Sequence, residues 1–174
     1  PCKATMLYAD VVPSTGGETR FINLRKAYDA LPESKKQEID GLMALFRHQH
    51  SIFNKITNDP TLVLPKLSKE EAAEVPDVIH PVVRTHPENG TKALFITNTR
   101  TEFIVGMETA KSEALLQSLF DHLYADRFRY HHHWRKGDLV MWDNRCLLHA
   151  ATPNVPAGEK RRLFRTILEG SRPV

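Results

Sequence analysis

At 174 residues the chain is long enough for one ordinary domain with its own core, and the expectation is a single domain over residues 1–174. A 41% hydrophobic and 26% charged composition belongs to globular proteins, and no apolar run approaches bilayer length, which excludes a helical membrane protein. The net charge of +3 is mild and the Lys and Arg are scattered without interleaved aromatics, which argues against nucleic acid as a partner. Cys2 and Cys146 are too few for a disulfide framework and fit a reduced, cytoplasmic setting.

In chain order, Thr5–Val12 reads as a strand, Pro13-Ser14-Thr15-Gly16-Gly17 as a turn, and Glu18–Phe21 as a return to extended structure. A strand at the first residues, with no initiating Met, suggests a chain whose N-terminal part is missing. Leu24–Leu31 reads as a short helix stopped by Pro32. A longer helix is expected from Ser34, with Ile39, Leu42, Met43 and Phe46 as its core-facing stripe. His48 to Pro81 is polar and Pro-punctuated, a long loop of the kind that forms lids, with a helical turn in Lys66–Glu74. Asn89-Gly90 between two β-like runs is the strongest hairpin signal in the chain. Lys111–Tyr124 reads as a helix with Leu115, Leu116, Leu119, Phe120 and Leu123 on one side. Phe128–Trp134 alternates as a strand, and Lys136-Gly137-Asp138 predicts a second hairpin, leading into the apolar run Leu139–Trp142. Helices early and mid-chain among many short strands predict a mainly β fold, a sandwich or barrel with flanking helices.

Three constellations have the residue types for chemistry. His131 and His133 share one face of a strand at a chelating spacing, although consecutive His also line pockets without binding metal. His149 is followed by Arg161, Arg162 and Arg165, which is either a metal-and-anion site or a lone core His with a solvated basic cluster. Gly16-Gly17-Glu18-Thr19 lacks the longer Gly/Lys/Thr pattern of a phosphate loop and reads as a turn.

The segments PSTGGET, HPVVRTHPENGTKALFI and WRKGDLVMWDNRCLLHAA followed by RRLFRTILEG occur in one order over nearly the whole chain. That combination resembles the taurine dioxygenase/2,4-dichlorophenoxyacetate dioxygenase family of iron(II)- and 2-oxoglutarate-dependent oxygenases. The resemblance implies a double-stranded β-helix (jelly-roll, cupin-like) core with flanking helices. It implies iron(II) held by two His and one carboxylate, with 2-oxoglutarate and O2 as cosubstrates. His149 matches the distal His of that triad, and the other His and the Asp are expected before Pro1. Arg165 matches the Arg whose planar fork pairs with the far carboxylate of 2-oxoglutarate, Thr19 the hydroxyl donor to it, and Arg161 a supporting Arg. Arg162 would point to the opposite face, and Trp142 and Asn144 fall beside His149.

The activity implied is hydroxylation of a small organic anion, a sulfonate, aryloxyalkanoate or similar carboxylate, coupled to decarboxylation of 2-oxoglutarate to succinate and CO2. Substrate contacts are expected from His48, His50, Ser51, Asn54, Asn98, Arg100 and His132. A homo-oligomer is compatible with the resemblance. Three alternatives remain at this point: a cupin-like metal-dependent hydrolase or isomerase using His131, His133 and His149; a halogenating relative lacking the carboxylate ligand; and a non-catalytic binding module.

Overall fold

The computed structural model describes residues 2–48, 68–171 and 173. Its strands are β1 (Cys2–Val11), β2 (Thr19–Asn23), β3 (Met43–Phe46), β4 (Val78–Pro81), β5 (Val83–Thr85), β6 (Lys92–Leu94), β7 (Thr101–Ile104), β8 (Arg129–His132), β9 (Leu139–Asp143), β10 (Leu147–Ala151) and β11 (Arg162–Glu169). The α-helices are α1 (Leu24–Asp29), α2 (Glu33–Ile39), α3 (Lys69–Glu74) and α4 (Thr109–Leu123), and a 3-10 turn spans Asp126–Phe128.

Two antiparallel sheets, ordered β11-β1-β9 and β10-β2-β8, form the frame. They meet through Phe21 of the second sheet and Trp142 of the first, whose rings pack edge-on with centroids 5.1 Å apart. This is the jelly-roll core expected above. A third sheet, β4-β3-β7, and the β5-β6 hairpin lie beside it. The main apolar core sits between these and the helices, with Leu24, Ile39, Leu94, Ile104, Leu119 and Leu123 fully buried. Each such side chain contributes about 1.5–3 kcal/mol by leaving water. Helix α4 carries the expected stripe, and Glu108 caps its start by accepting from the backbone N–H of Ala110 and Lys111 at 3.0 Å each.

The chain departs from the sequence reading in four places. The stripe from Ile39 to Phe46 is not one helix, because α2 ends at Ile39 and Met43–Phe46 is a strand. Gly41 lies in the left-handed region at φ 69°, which turns the chain, and the period of burial changes from helical to alternating, with Ala44 inside and Met43 out. The turn at Lys136-Gly137-Asp138 is real, with Gly137 at φ 91°, but it does not make a hairpin. The strand before it pairs with β2 and the strand after it with β1, so the turn carries the chain from one sheet to the other. Ala9 pins it there, accepting from Gly137 N–H at 2.8 Å and donating to the Asp138 carbonyl at 2.9 Å. Phe128 belongs to the 3-10 turn, and β8 is shorter than the alternation suggested.

The long loop expected over His48–Pro81 ends early, because Val78–Pro81 is strand β4, paired with β3; residues 49–67 lie outside the described residues. Asn89-Gly90 closes the β5-β6 hairpin, with Gly90 at φ 71°, and the charged piece before Val75 forms α3.

Candidate active site

Register decides which side chains face the space between the two sheets, because residues paired across antiparallel strands project to the same side. His149 pairs with Phe21, and Phe21 with Tyr130; two positions along, Ala151 pairs with Thr19 and Thr19 with His132. From the opposite sheet, Thr5 pairs with Trp142, and Leu7 pairs with both Val140 and Arg165. Trp142 points inward onto Phe21 and His149, so Arg165, on the same face, points inward too. His149, Thr19 and Arg165, scattered over 147 positions of sequence, therefore face one space between the sheets, with Thr19 buried and the other two exposed.

The first corner of that interior is Thr19, which is 2% exposed. Its Oγ1 accepts from Trp134 Nε1 at 3.0 Å and from Arg161 Nη2 at 3.3 Å. Arg161 also donates from Nε to the Gly17 carbonyl at 2.7 Å, and burial pulls its pKa down. The close approach of Asn154 and Arg161 to this turn explains the two glycines. A Cβ on Gly16 would lie 1.8 Å from the Asn154 carbonyl oxygen, and one on Gly17 would lie 2.9 Å from Cδ of Arg161, at φ 73° and 67°. Only glycine lets the turn pass beneath the arginine. Ser14 fastens the same turn to Glu159, its hydroxyl bonding Oε1 at 2.5 Å.

His149 forms the second corner. Its pKa is lowered by the packing around the ring and then by the charge of Arg165, although the residue as a whole is exposed to solvent. The imidazole is thus neutral near pH 7, the form that can ligate a metal. Trp142 shares its single indole proton between Asn144 Oδ1 at 2.9 Å and His149 Nδ1 at 3.2 Å. Nε2 becomes a free lone pair when Trp142 gives that proton wholly to Asn144 and Nδ1 carries the ring proton. Asn144 in turn is held by Thr5, donating to its Oγ1 at 2.9 Å. His149 therefore fits as one metal ligand. Among the described residues there is no group of three or more His, Cys, Asp or Glu placed to hold a metal, so any further ligands come from outside them.

Behind this corner, an ion network braces the turn between β9 and β10. Arg145, 6% exposed, donates to Asp143 at 2.6–3.0 Å and to Glu88 at 3.0 Å, and His86 Nε2 lies 3.0 Å from Asp143. Burial pushes the Asp143 carboxyl up, but its bonds to Arg145 and His86 outweigh that and hold it below the usual range. Glu88, bonded to Arg145 and Lys3, is lowered to about 2.

The structure separates the remaining candidates. His131 pairs with Arg20 and so projects away from the His149 face, while His133 lies beyond β8 and 3.5 Å from Glu18. A metal centre of His131, His133 and His149 is thereby ruled out, and with it the hydrolase or isomerase built on it. Arg162 projects outward and bonds Asp10, as expected. His132 does share the Thr19 face, tied to Asp138 at 3.1 Å and edge-on to Trp134 at 4.5 Å. Arg100 is bonded instead to His48, and Asn98 accepts from the Tyr124 hydroxyl at 2.7 Å beside α4. Among the described residues no hydrogen bond links these three to the His149 face. His50, Ser51 and Asn54 lie outside the described residues. The sequence reading missed Trp134, whose place beside His132 in an alternating run was the available signal.

The model of the taurine catabolism dioxygenase TauD, TfdA family matches residues 1–167. The chain is 42% identical over 152 residues to an (S)-phenoxypropionate/alpha-ketoglutarate-dioxygenase of Sphingobium herbicidovorans, covering 87% of this chain and 52% of that one. It superposes with a TM-score of 0.81 on the crystal structure of a taurine dioxygenase from Burkholderia xenovorans, at 31% identity, covering 100% of this chain and 54% of that one. A structure of AAD-2 in complex with Mn(II) and N-oxalylglycine matches with a TM-score of 0.82 at 32% identity, covering 99% of this chain and 65% of that one. The chain spans about half the length of the curated relatives it matches.

Proposed function

The chain belongs to the TauD, TfdA family of taurine catabolism dioxygenases, and from that premise we propose that it is part of a cytoplasmic iron(II)- and 2-oxoglutarate-dependent dioxygenase acting on a small organic anion. The observation that carries the reading is the pairing of a buried hydroxyl and a guanidinium, Thr19 with Arg161, in the interior that a neutral His149 also faces. A dicarboxylic 2-oxo acid needs those two ends: a cationic, hydrogen-bonding seat for its far carboxylate and a metal at its keto-acid end.

Thr19 and Arg161 would seat the far carboxylate, with Arg165 as the second cation of the same interior. His149 would supply one metal ligand, oriented by Trp142 and Asn144. Iron(II), when bound, supplies the redox chemistry that couples decarboxylation of 2-oxoglutarate to oxidation of the substrate. The protein's own part is positioning: the buried rings of Phe21 and Trp142 pack edge-on between the sheets, which holds the corners at fixed separation. The names of relatives support the substrate class, since they act on phenoxypropionate and 2,4-dichlorophenoxyacetate.

The test is full-length protein supplied with iron(II), ascorbate, 2-oxoglutarate and a panel of aryloxyalkanoates, sulfonates and alkyl sulfates. Substrate-dependent succinate release is expected. Tight 2-oxoglutarate binding with no succinate from any member of the panel would favour the non-catalytic binding module.

A further inference from the structure

We propose that Trp134 is a positioning residue that turns the Thr19 hydroxyl into an obligate donor, and so selects a cosubstrate with a second carboxylate. This inference rests on the cosubstrate reading given above. A threonine hydroxyl has one proton and two acceptor lone pairs, and in a pocket it usually rotates to suit whatever enters. Here both lone pairs are used. The Trp134 indole N–H and the Arg161 guanidinium are donors only, and both point at Oγ1, at 3.0 and 3.3 Å. The proton of the hydroxyl must then project away from both, and the structure records no acceptor for it among the described residues. Thr19 is 2% exposed, so water does not freely compensate.

A group entering this corner therefore meets a fixed O–H beside a guanidinium. A carboxylate satisfies both, accepting from each. A methyl or other apolar group at the same position would leave the buried O–H unpaired, the more costly outcome. The indole is itself held. His132 packs edge-on against it at 4.5 Å and is anchored through Nε2 to Asp138 at 3.1 Å. Asp138 also accepts from the Arg135 backbone N–H at 2.9 Å, which fixes the turn that carries Trp134. The contacts from Asp138 through His132 and Trp134 to Thr19 do not include His149, so the Trp134 N–H can be removed without deleting a contact of that ring.

The experiment uses the full-length protein loaded with Mn(II) under nitrogen, and measures dissociation constants for 2-oxoglutarate and for 2-oxopentanoate, which lacks the far carboxylate. Wild type should prefer 2-oxoglutarate. Trp134→Phe keeps an aromatic ring and removes the N–H; it should weaken 2-oxoglutarate binding about tenfold and leave 2-oxopentanoate within about twofold. In a Thr19→Val background the same change should have almost no further effect on 2-oxoglutarate, because the two residues act as one unit. Equal weakening of both ligands, or additive effects of the two substitutions, would overturn the proposal. If Trp134→Phe does not fold, benzothienylalanine at position 134 keeps the indole's shape and replaces N–H by sulfur, with the same outcomes expected. A wild type that binds neither ligand would instead refute the cosubstrate reading itself.

Discussion

The two corners of the interior are built on opposite principles. Around Thr19 both acceptor lone pairs of the hydroxyl are taken: an indole and a guanidinium, the latter also tied to the glycine turn, lock it in place. Around His149 the ring has a single shared hydrogen bond, at 3.2 Å, and Nε2 has no hydrogen-bond partner among the described residues. A corner that binds a ligand by hydrogen bonds gains from preorganisation, because the cost of ordering is met during folding. A metal ligand needs orientation and a free lone pair, and a crowded ring would lose the second.

This contrast can be broken at several points. The largest effect is expected from His149→Ala, which should reduce succinate formation in the full-length enzyme to background; retained turnover would remove His149 from the site. Next comes Arg161→Ala, which should raise the KM for 2-oxoglutarate by about 10- to 100-fold, the worth of a charge-assisted hydrogen bond. Comparison with Arg165→Ala asks which guanidinium holds the carboxylate. Since Arg161 is the one bonded to Thr19, the larger KM effect should belong to it, and the reverse order would reassign the seat.

Gly16→Ala should destabilise the fold by about 2 kcal/mol or more, through positive φ and collision with the Asn154 carbonyl, lowering the melting temperature. An unchanged melting temperature would mean that the turn can move off the Asn154 carbonyl.

The ion network sets the acid limit. Glu88 titrates near 2 in the fold against an ordinary 4.5, and Asp143 is also depressed, so both contribute stability that is present above their unfolded values and lost as pH falls through the folded ones. Arg145→Ala removes the main partner of both carboxylates, and the acid-unfolding midpoint followed by circular dichroism should move to higher pH. The smallest effects are expected from Asn98→Ala and Arg100→Ala. Their bonds run to Tyr124 and His48, and 2-oxoglutarate affinity should stay within about twofold of wild type.

Much of this was legible before any coordinates. The α4 stripe was periodic enough to place, and Asn89-Gly90 marked its hairpin, because both signals are local. The misreadings share a cause. Ile39 to Phe46 satisfies a helical spacing by coincidence while Gly41 turns the chain within it, and Lys136-Gly137-Asp138 has hairpin chemistry although its flanking strands pair elsewhere. Local pattern cannot say which sheet a strand will join, since that is decided by residues more than a hundred positions away. His131 and His133 failed as a metal pair for the same reason: an alternating face has meaning only once its partner strand is known.

The sequence by itself determined the family, the mainly β class, and the residue types needed to bind an anion and a metal. Tertiary structure decided which of them meet. Pairing of β2 with β8 and β10 put His149 and Thr19 on one face, and the stacking of the β11-β1-β9 sheet brought Trp142 and Arg165 over it. It also decided that Thr19 has no free lone pair, a property of Trp134 and Arg161 approaching from distant parts of the chain, which no local spacing encodes.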